Sequence, residues 1–414
     1  MMGVSAKIKI NVQRKITITS ESLYIVAYCM YVVSSILSTT QFKYFGLGAL
    51  IITLLKYIAV FVAAASVAMK RSLSKNWICV VGLMTALCAA VMVTNERLSQ
   101  TVILFLFILC GGVIMTSDRV FRAYLKVACI TVIFTLLLYA AGIYEYDVYS
   151  SGGRTRLYLG FTYTTYLANY FFHFLLVYYS LKKKEIGVVD TCLVLAMNQV
   201  IYILTDTNAV YYEVYLFLIF LWILKLWKRP FKTKIFSLGA IVAMPIMCIL
   251  AFFMSVRYDA SKPIWVALNS LLTHRLSLAH NAIEEYGLSL FGSDIVWVTG
   301  RYGIERTEDY FYVDSSYINI ALTFGVIVLI LVLIGFCVLS HRAAKEQKYV
   351  LCISLILLAV HSFSDPQLLD LKYDPFLLLL VWCFIRKNDP IPLPQQDNIE
   401  ENKRKLQIIL KRNT

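Results

Sequence analysis

Apolar runs close to 20 residues long recur along almost the whole of this 414-residue chain, with little between them. A hydrocarbon core about 30 Å thick asks for runs of that length. Twelve are readable, at residues 22–40, 44–69, 77–93, 100–116, 121–142, 161–181, 186–204, 209–225, 235–255, 317–339, 349–363 and 373–386. Only 15% of the residues are charged and 59% are hydrophobic, too little polar surface to cover a water-soluble globule. The expectation is an all-α, polytopic integral membrane protein of about 12 transmembrane helices with one large extracytoplasmic helical loop. It divides into a cytoplasmic N-terminal segment (1–21), helices one to nine (22–255), the large loop (256–316), helices ten to twelve (317–386) and a cytoplasmic tail (387–414). No small-residue cleavage site follows the first apolar run, so that run is expected to stay as a span.

Orientation comes from the charges. With the N-terminus inside, 28 of the 39 Lys and Arg residues fall on cytoplasmic segments, among them Lys182, Lys183, Lys184, Arg342 and Lys348. Ten fall outside: Lys43, Arg97, Arg154, Arg156, Lys372, and Arg257, Lys262, Arg275, Arg301 and Arg306 of the long loop. Both termini are then cytoplasmic. The net charge of +14 thus describes topology and does not call for a nucleic-acid partner. No internal repeat is apparent, and the long loop lies off the midpoint of the chain. Both features disfavour a transporter built from mirrored halves.

All ten cysteines lie in apolar segments, where they serve as small fillers. No metal-ligand spacing and no phosphate-cradling glycine loop is readable, and the DxD element of nucleotide-sugar enzymes is missing. An enzyme of this kind would be metal-independent and need no cofactor, with its acid or base drawn from Asp314, His280, Glu284 or Glu285. Residues 263–286 have the apolar spacing of one helix, lying on the membrane surface or packed on the bundle, and carry Arg275 and His280. Guanidinium groups grip phosphate with paired hydrogen bonds, and Arg154, Arg156, Arg257 and Arg275 come from two outer loops able to converge on one anion. Taken singly, each of these arginines reads more readily as a solvated surface charge than as an anion ligand. Lys56, deep in the second span, needs an interior partner or a water-filled cavity, and Glu213 is a candidate partner. His173 reads as a hydrogen-bonded residue of the bundle.

Four segments together resemble the Wzy-type polysaccharide polymerases of the O-antigen ligase/polymerase group. Arg156-Leu157-Tyr158-Leu159-Gly160-Phe161 is similar to that group's Arg then Gly-Phe signature. Arg275-Leu276 with Leu290-Phe291-Gly292 resembles its loop helix and the exit from it. Asp314-Ser315-Ser316-Tyr317-Ile318 with Gly325, and Tyr373-Asp374-Pro375-Phe376-Leu377, resemble the openings of later spans. The likeness covers about the C-terminal two-thirds of the chain. Two departures stand out: Thr164-Thr165 replaces a Pro-Asn pair, and Thr205-Asp206-Thr207-Asn208 stands where relatives carry Ser-Arg.

The resemblance implies glycosyl transfer at the outer face of a bacterial plasma membrane. Polyprenyl-diphosphate-linked oligosaccharide would serve as both donor and acceptor, with flippase and chain-length regulator proteins as further partners. It implies Arg156 and Arg275 on the diphosphate, supported by Arg154 and Arg257. Asp314 would be the base or acceptor-orienting residue, with His280 in reserve. Rival readings are an O-antigen ligase, a lipid-linked oligosaccharide flippase and a non-catalytic assembly protein. Ligases of this group tend to carry His where this chain has Asp314.

Overall fold

The computed structural model describes residues 19–70, 74–94, 98–114, 118–151, 153–299, 310–386 and 388–393. Arg97, Arg301, Arg306 and most of the two terminal segments lie outside the described residues. The helices are α1 (Ser20–Leu37), α2 (Gly48–Ala68), α3 (Lys75–Thr94), α4 (Leu98–Cys110), α5 (Arg119–Ala140), α6 (Tyr166–Leu181), α7 (Val188–Thr205) and α8 (Asn208–Leu226). They continue as α9 (Lys234–Val256), α10 (Pro263–Leu271), α11 (Arg275–Tyr286), α12 (Ser316–Thr323), α13 (Val326–Lys345), α14 (Tyr349–His361) and α15 (Leu377–Ile385). A hairpin of β1 (Val148–Ser151) and β2 (Arg154–Leu157) precedes α6.

Eight of the described helices (α1, α2, α3, α5, α7, α8, α9 and α13) are long and apolar enough to cross a membrane. Several present unbroken apolar faces outward: Leu50, Leu54 and Phe61 on α2, Leu193, Val200 and Ile203 on α7, Leu238, Ile249 and Phe253 on α9. Such faces are stable against lipid and costly against water. This is a helical, multi-pass membrane protein. Almost every residue of α14 and α15 is buried, so the last two helices form the centre that the others enclose.

One end of the bundle collects the basic connections. Lys182 pairs with Asp190 (2.6 Å) and Lys228 with Glu185 (2.6 Å), while Arg342 donates to the carbonyl of Cys383 (3.0 Å). Lys348 donates to the Leu393 carbonyl and Glu346 accepts from the Ile391 amide at 2.9 Å, so the start of the tail is packed onto this end. The hairpin, the long connection between α9 and α12, and the α14–α15 connection lie at the other end.

Three expected helices are interrupted. The run at 317–339 is two helices, α12 and α13, parted at Phe324-Gly325. Here the exit of the long connection locks into the chain: the amide of Val326 donates to the Ser289 carbonyl (3.0 Å) and that of Ser293 to the Leu322 carbonyl (2.9 Å). Gly292 and Gly325 face each other's strand in left-handed conformations (φ 89° and 93°). A Cβ on either would collide with backbone, the Thr323 carbonyl or the Leu290 carbonyl. The expected helix 263–286 is likewise two, α10 and α11, because Thr273 and His274 turn left-handed (φ 53° and 66°). Asn269 holds that break: its carbonyl accepts from the His274 amide (2.8 Å) and its Oδ1 from the Ser277 amide (3.1 Å).

The run at 373–386 becomes helical only at Leu377. With 13 and 9 residues, α14 and α15 reach only ~20 and ~14 Å, short of a bilayer. The irregular stretch 362–376 between them therefore descends into the bundle. Its carbonyls are met by tyrosines of other helices, Tyr28 midway along α1 and Tyr124 in the second turn of α5: Tyr28 Oη donates to Leu371 (2.7 Å), and Tyr124 Oη to Lys372 (2.9 Å) and Tyr373 (3.0 Å). Tyr373 stacks on Tyr170 of α6 with ring centroids 4.4 Å apart. Non-helical backbone at such depth is stable only where protein or a polar cavity satisfies it.

Candidate functional site

The break before α11 makes Arg275 the first residue of that helix and turns it toward the segment leading into α12. That segment is anchored on both sides: Asn319 Nδ2 donates to the Val313 carbonyl (3.1 Å) and the Ser316 amide to the Ser362 carbonyl (2.9 Å). Asp314 is thereby held opposite Arg275, whose Nε donates to Asp314 Oδ2 at 2.9 Å. Both side chains keep about a quarter of their surface exposed, 28% and 22%. Arg275, Ser255, Ser315 and Ser364 line a small cavity with room for about one water molecule.

Behind this pair lies a polar cluster at the ends of α6, α8 and α14 on the hairpin side of the bundle. Asn169 Nδ2 donates to Asp365 Oδ2 (3.0 Å), and the Asp365 carbonyl accepts from Ser316 Oγ. His361 Nδ1 meets Glu213 Oε2 at 2.7 Å and its Nε2 meets Gln367 Oε1 at 3.3 Å. One turn along α6 from Asn169, His173 Nδ1 bonds the Asn169 carbonyl (2.9 Å), and its ring meets that of His361 edge-on at 5.1 Å. Three buried atoms in the cluster have no hydrogen-bond partner: Asp365 Oδ1, Asn169 Oδ1 and His173 Nε2. Burial pushes the Asp365 carboxyl up to about 6, against the pull of His361 and Arg275.

The hairpin supplies the other arginines. Alternation along a strand puts Arg154 and Arg156 on one face. Arg154 is taken by Asp206, the left-handed residue (φ 45°) that ends α7: Nε reaches the carboxylate and Nη2 the carbonyl at 2.7 Å. That ion pair holds the Asp206 carboxyl below its usual range. Arg156 is half-buried, and its Nε has no partner.

Other sequence candidates lie apart. His280 faces α9, with Nδ1 on the Ser255 carbonyl (3.0 Å) and Nε2 near Glu284 (3.3 Å), so it does not join Asp314. Arg257 is exposed at the end of α9. Lys56 is not partnered by Glu213, which His361 occupies; the charges it feels are Lys372 and Asp370 of the descending connection. Asp365, Asn169 and His361 escaped sequence reasoning, although an acid four residues beyond a histidine at the edge of span eleven was a usable signal. Among the described residues no group of three or more His, Cys, Asp or Glu could hold a metal ion.

No family model, curated protein or solved structure matches this chain.

Proposed function

We propose that the protein lengthens a surface polysaccharide, transferring a glycan from polyprenyl diphosphate to the end of another lipid-linked repeat unit at the outer face of a bacterial plasma membrane. The observation that carries this reading is the return of the long connection onto itself. It brings Arg275 and Asp314 to 2.9 Å, beside an enclosed polar cluster, at the end of the bundle away from the basic loops. A diphosphate leaving group develops charge as the sugar departs, and a preorganised guanidinium offsets that charge. Arg275 and the half-buried Arg156 take this role. Asp206 already neutralises Arg154, which leaves Arg154 to fix the hairpin. Asp314 orients Arg275 and the acceptor. The donor and acceptor lipids reach the site from the bilayer, and a flippase that delivers repeat units and a chain-length regulator are the implied partners.

Glycan sizing in the producing cell tests this. Deleting the gene should collapse the polymer ladder to single repeat units, and restoring it as Arg275→Ala or Asp314→Ala should leave the ladder collapsed. A second reading, transport of the lipid-linked unit, draws on the Glu213–His361 pair buried within the bundle. It predicts that deletion traps lipid-linked units on the cytoplasmic leaflet, and that result would replace the polymerase reading.

A further inference from the structure

We infer that Asp365, and not Asp314, is the base that takes the proton of the acceptor hydroxyl; the inference rests on the polymerase reading above. Three features of the geometry lead to it. First, Asp314 Oδ2 is occupied by Arg275 Nε. Second, Asp365 is fixed on every side but one. Asn169 holds its Oδ2, Ser316 donates to its carbonyl, and Oδ1 is buried without a hydrogen-bond partner. Third, the three orphan atoms of the cluster share one polarity, while Ser315 Oγ beside Arg275 is a further orphan able to donate. His173 donates its Nδ1 hydrogen to the Asn169 carbonyl, so its Nε2 is an acceptor, like Asn169 Oδ1 and Asp365 Oδ1.

Asn169 and His173 are almost wholly buried, at 1% and 2% exposure. Buried acceptors without donors are costly, and a ligand rich in O–H groups removes the cost. A sugar is such a ligand. The cluster is therefore an acceptor-sugar subsite, with the diphosphate of the donor lying on the Arg275 side.

The transfer balances with the groups present. The acceptor oxygen bonds to the anomeric carbon of the donor sugar as its bond to the phosphate oxygen breaks. The electron pair leaves with polyprenyl diphosphate, and the proton passes to Asp365 Oδ1 and from there to water after the diphosphate departs. The groups facing Asp365 are His361 of α14 with Glu213 of α8 behind it, Arg275 of α11, Asp314, Tyr312, and Asn169 and Tyr166 of α6. A base that titrates near 6 is charged at neutral pH yet still able to hold a proton briefly.

The test uses the full-length protein in lipid vesicles, with lipid-linked glycans extracted from the deletion strain as substrate. Initial rates are followed from pH 5 to 8. The wild-type rate should rise through about pH 6 to a plateau. Asp365→Asn should lose at least a hundredfold in kcat, keep KM within about threefold, and lose the acid limb. Asp365→Glu, which keeps the charge, should recover part of the rate with a displaced limb. A merely structural role would move KM or vesicle incorporation and leave the limb in place. Asp365→Asn turning over within threefold of wild type, or keeping the acid limb, overturns the inference while the polymerase reading stands. Wild-type protein inert towards the extracted glycans overturns both.

Discussion

Arg275 donates to Asp314 across 39 residues of sequence, and their 2.9 Å contact closes the long connection between α9 and α12. A partly buried, charge-assisted bond of this kind couples its partners beyond what either does alone. In a double-mutant cycle of Arg275→Gln and Asp314→Asn, the coupling should be about 1–3 kcal/mol in denaturant unfolding in mixed micelles. Additive losses would show the pair to be incidental.

The Arg154–Asp206 pair predicts a pH dependence. Arg154 holds the Asp206 carboxyl below its unfolded value, so the pair's stabilisation is full above about pH 4 and is lost as the pH falls further. Both side chains are a quarter to a third exposed, which limits the effect to about 1 kcal/mol or less. Asp206→Asn should therefore fall slightly below wild type in thermal stability at pH 7, with the deficit shrinking as the pH drops below about 4. A gap that widens on acidification would contradict this.

Tyr28→Phe and Tyr124→Phe should each be destabilising by about 1–3 kcal/mol, because each strips a donor from carbonyls that have left the helix ladder. Tyr57→Phe, on the exposed face of α2, should change the melting temperature little. Equal effects at all three positions would mean that the descent of 362–376 does not depend on these hydroxyls.

Gly292→Ala and Gly325→Ala should each cost more than about 3 kcal/mol, since a Cβ adds a backbone collision to the left-handed strain. Gly142 has φ 70° but open space around it, so Gly142→Ala isolates the strain at about 1–2 kcal/mol. Thermal unfolding of the three variants in detergent separates collision from conformation.

Long-range order in the sequence was carried by hydrophobic length and charge. Each of the twelve apolar runs holds at least one helix, and Lys182, Lys228, Arg342 and Lys348 do gather at one end. What escaped notice depends on partners distant in the chain. Residues 373–376 read as the start of the last span because the run they open is apolar; only the tyrosines of α1 and α5 make the irregular backbone ahead of Leu377 stable. The break before Arg275 follows from the Asn269 side chain folding onto Ser277, which no apolar periodicity encodes. Arg154 reads as an anion ligand until Asp206, 52 residues later, is seen to hold it. The Arg275 and Asp314 motifs were legible; the Asn169–Asp365 contact, 196 residues apart, was not.

The descending connection also orders the making of the protein. Tyr28 and Tyr124 are translated and inserted long before Leu371, Lys372 and Tyr373 exist to receive them. Until the ribosome delivers the final helical pair, those hydroxyls stand in the nascent bundle without their carbonyls. Biogenesis thus withholds the Asn169–Asp365 contact until α14 and α15 have been threaded in among the earlier helices. A chain arrested after α13 would be anchored in the bilayer yet lack the Asn169–Asp365 and Glu213–His361 contacts.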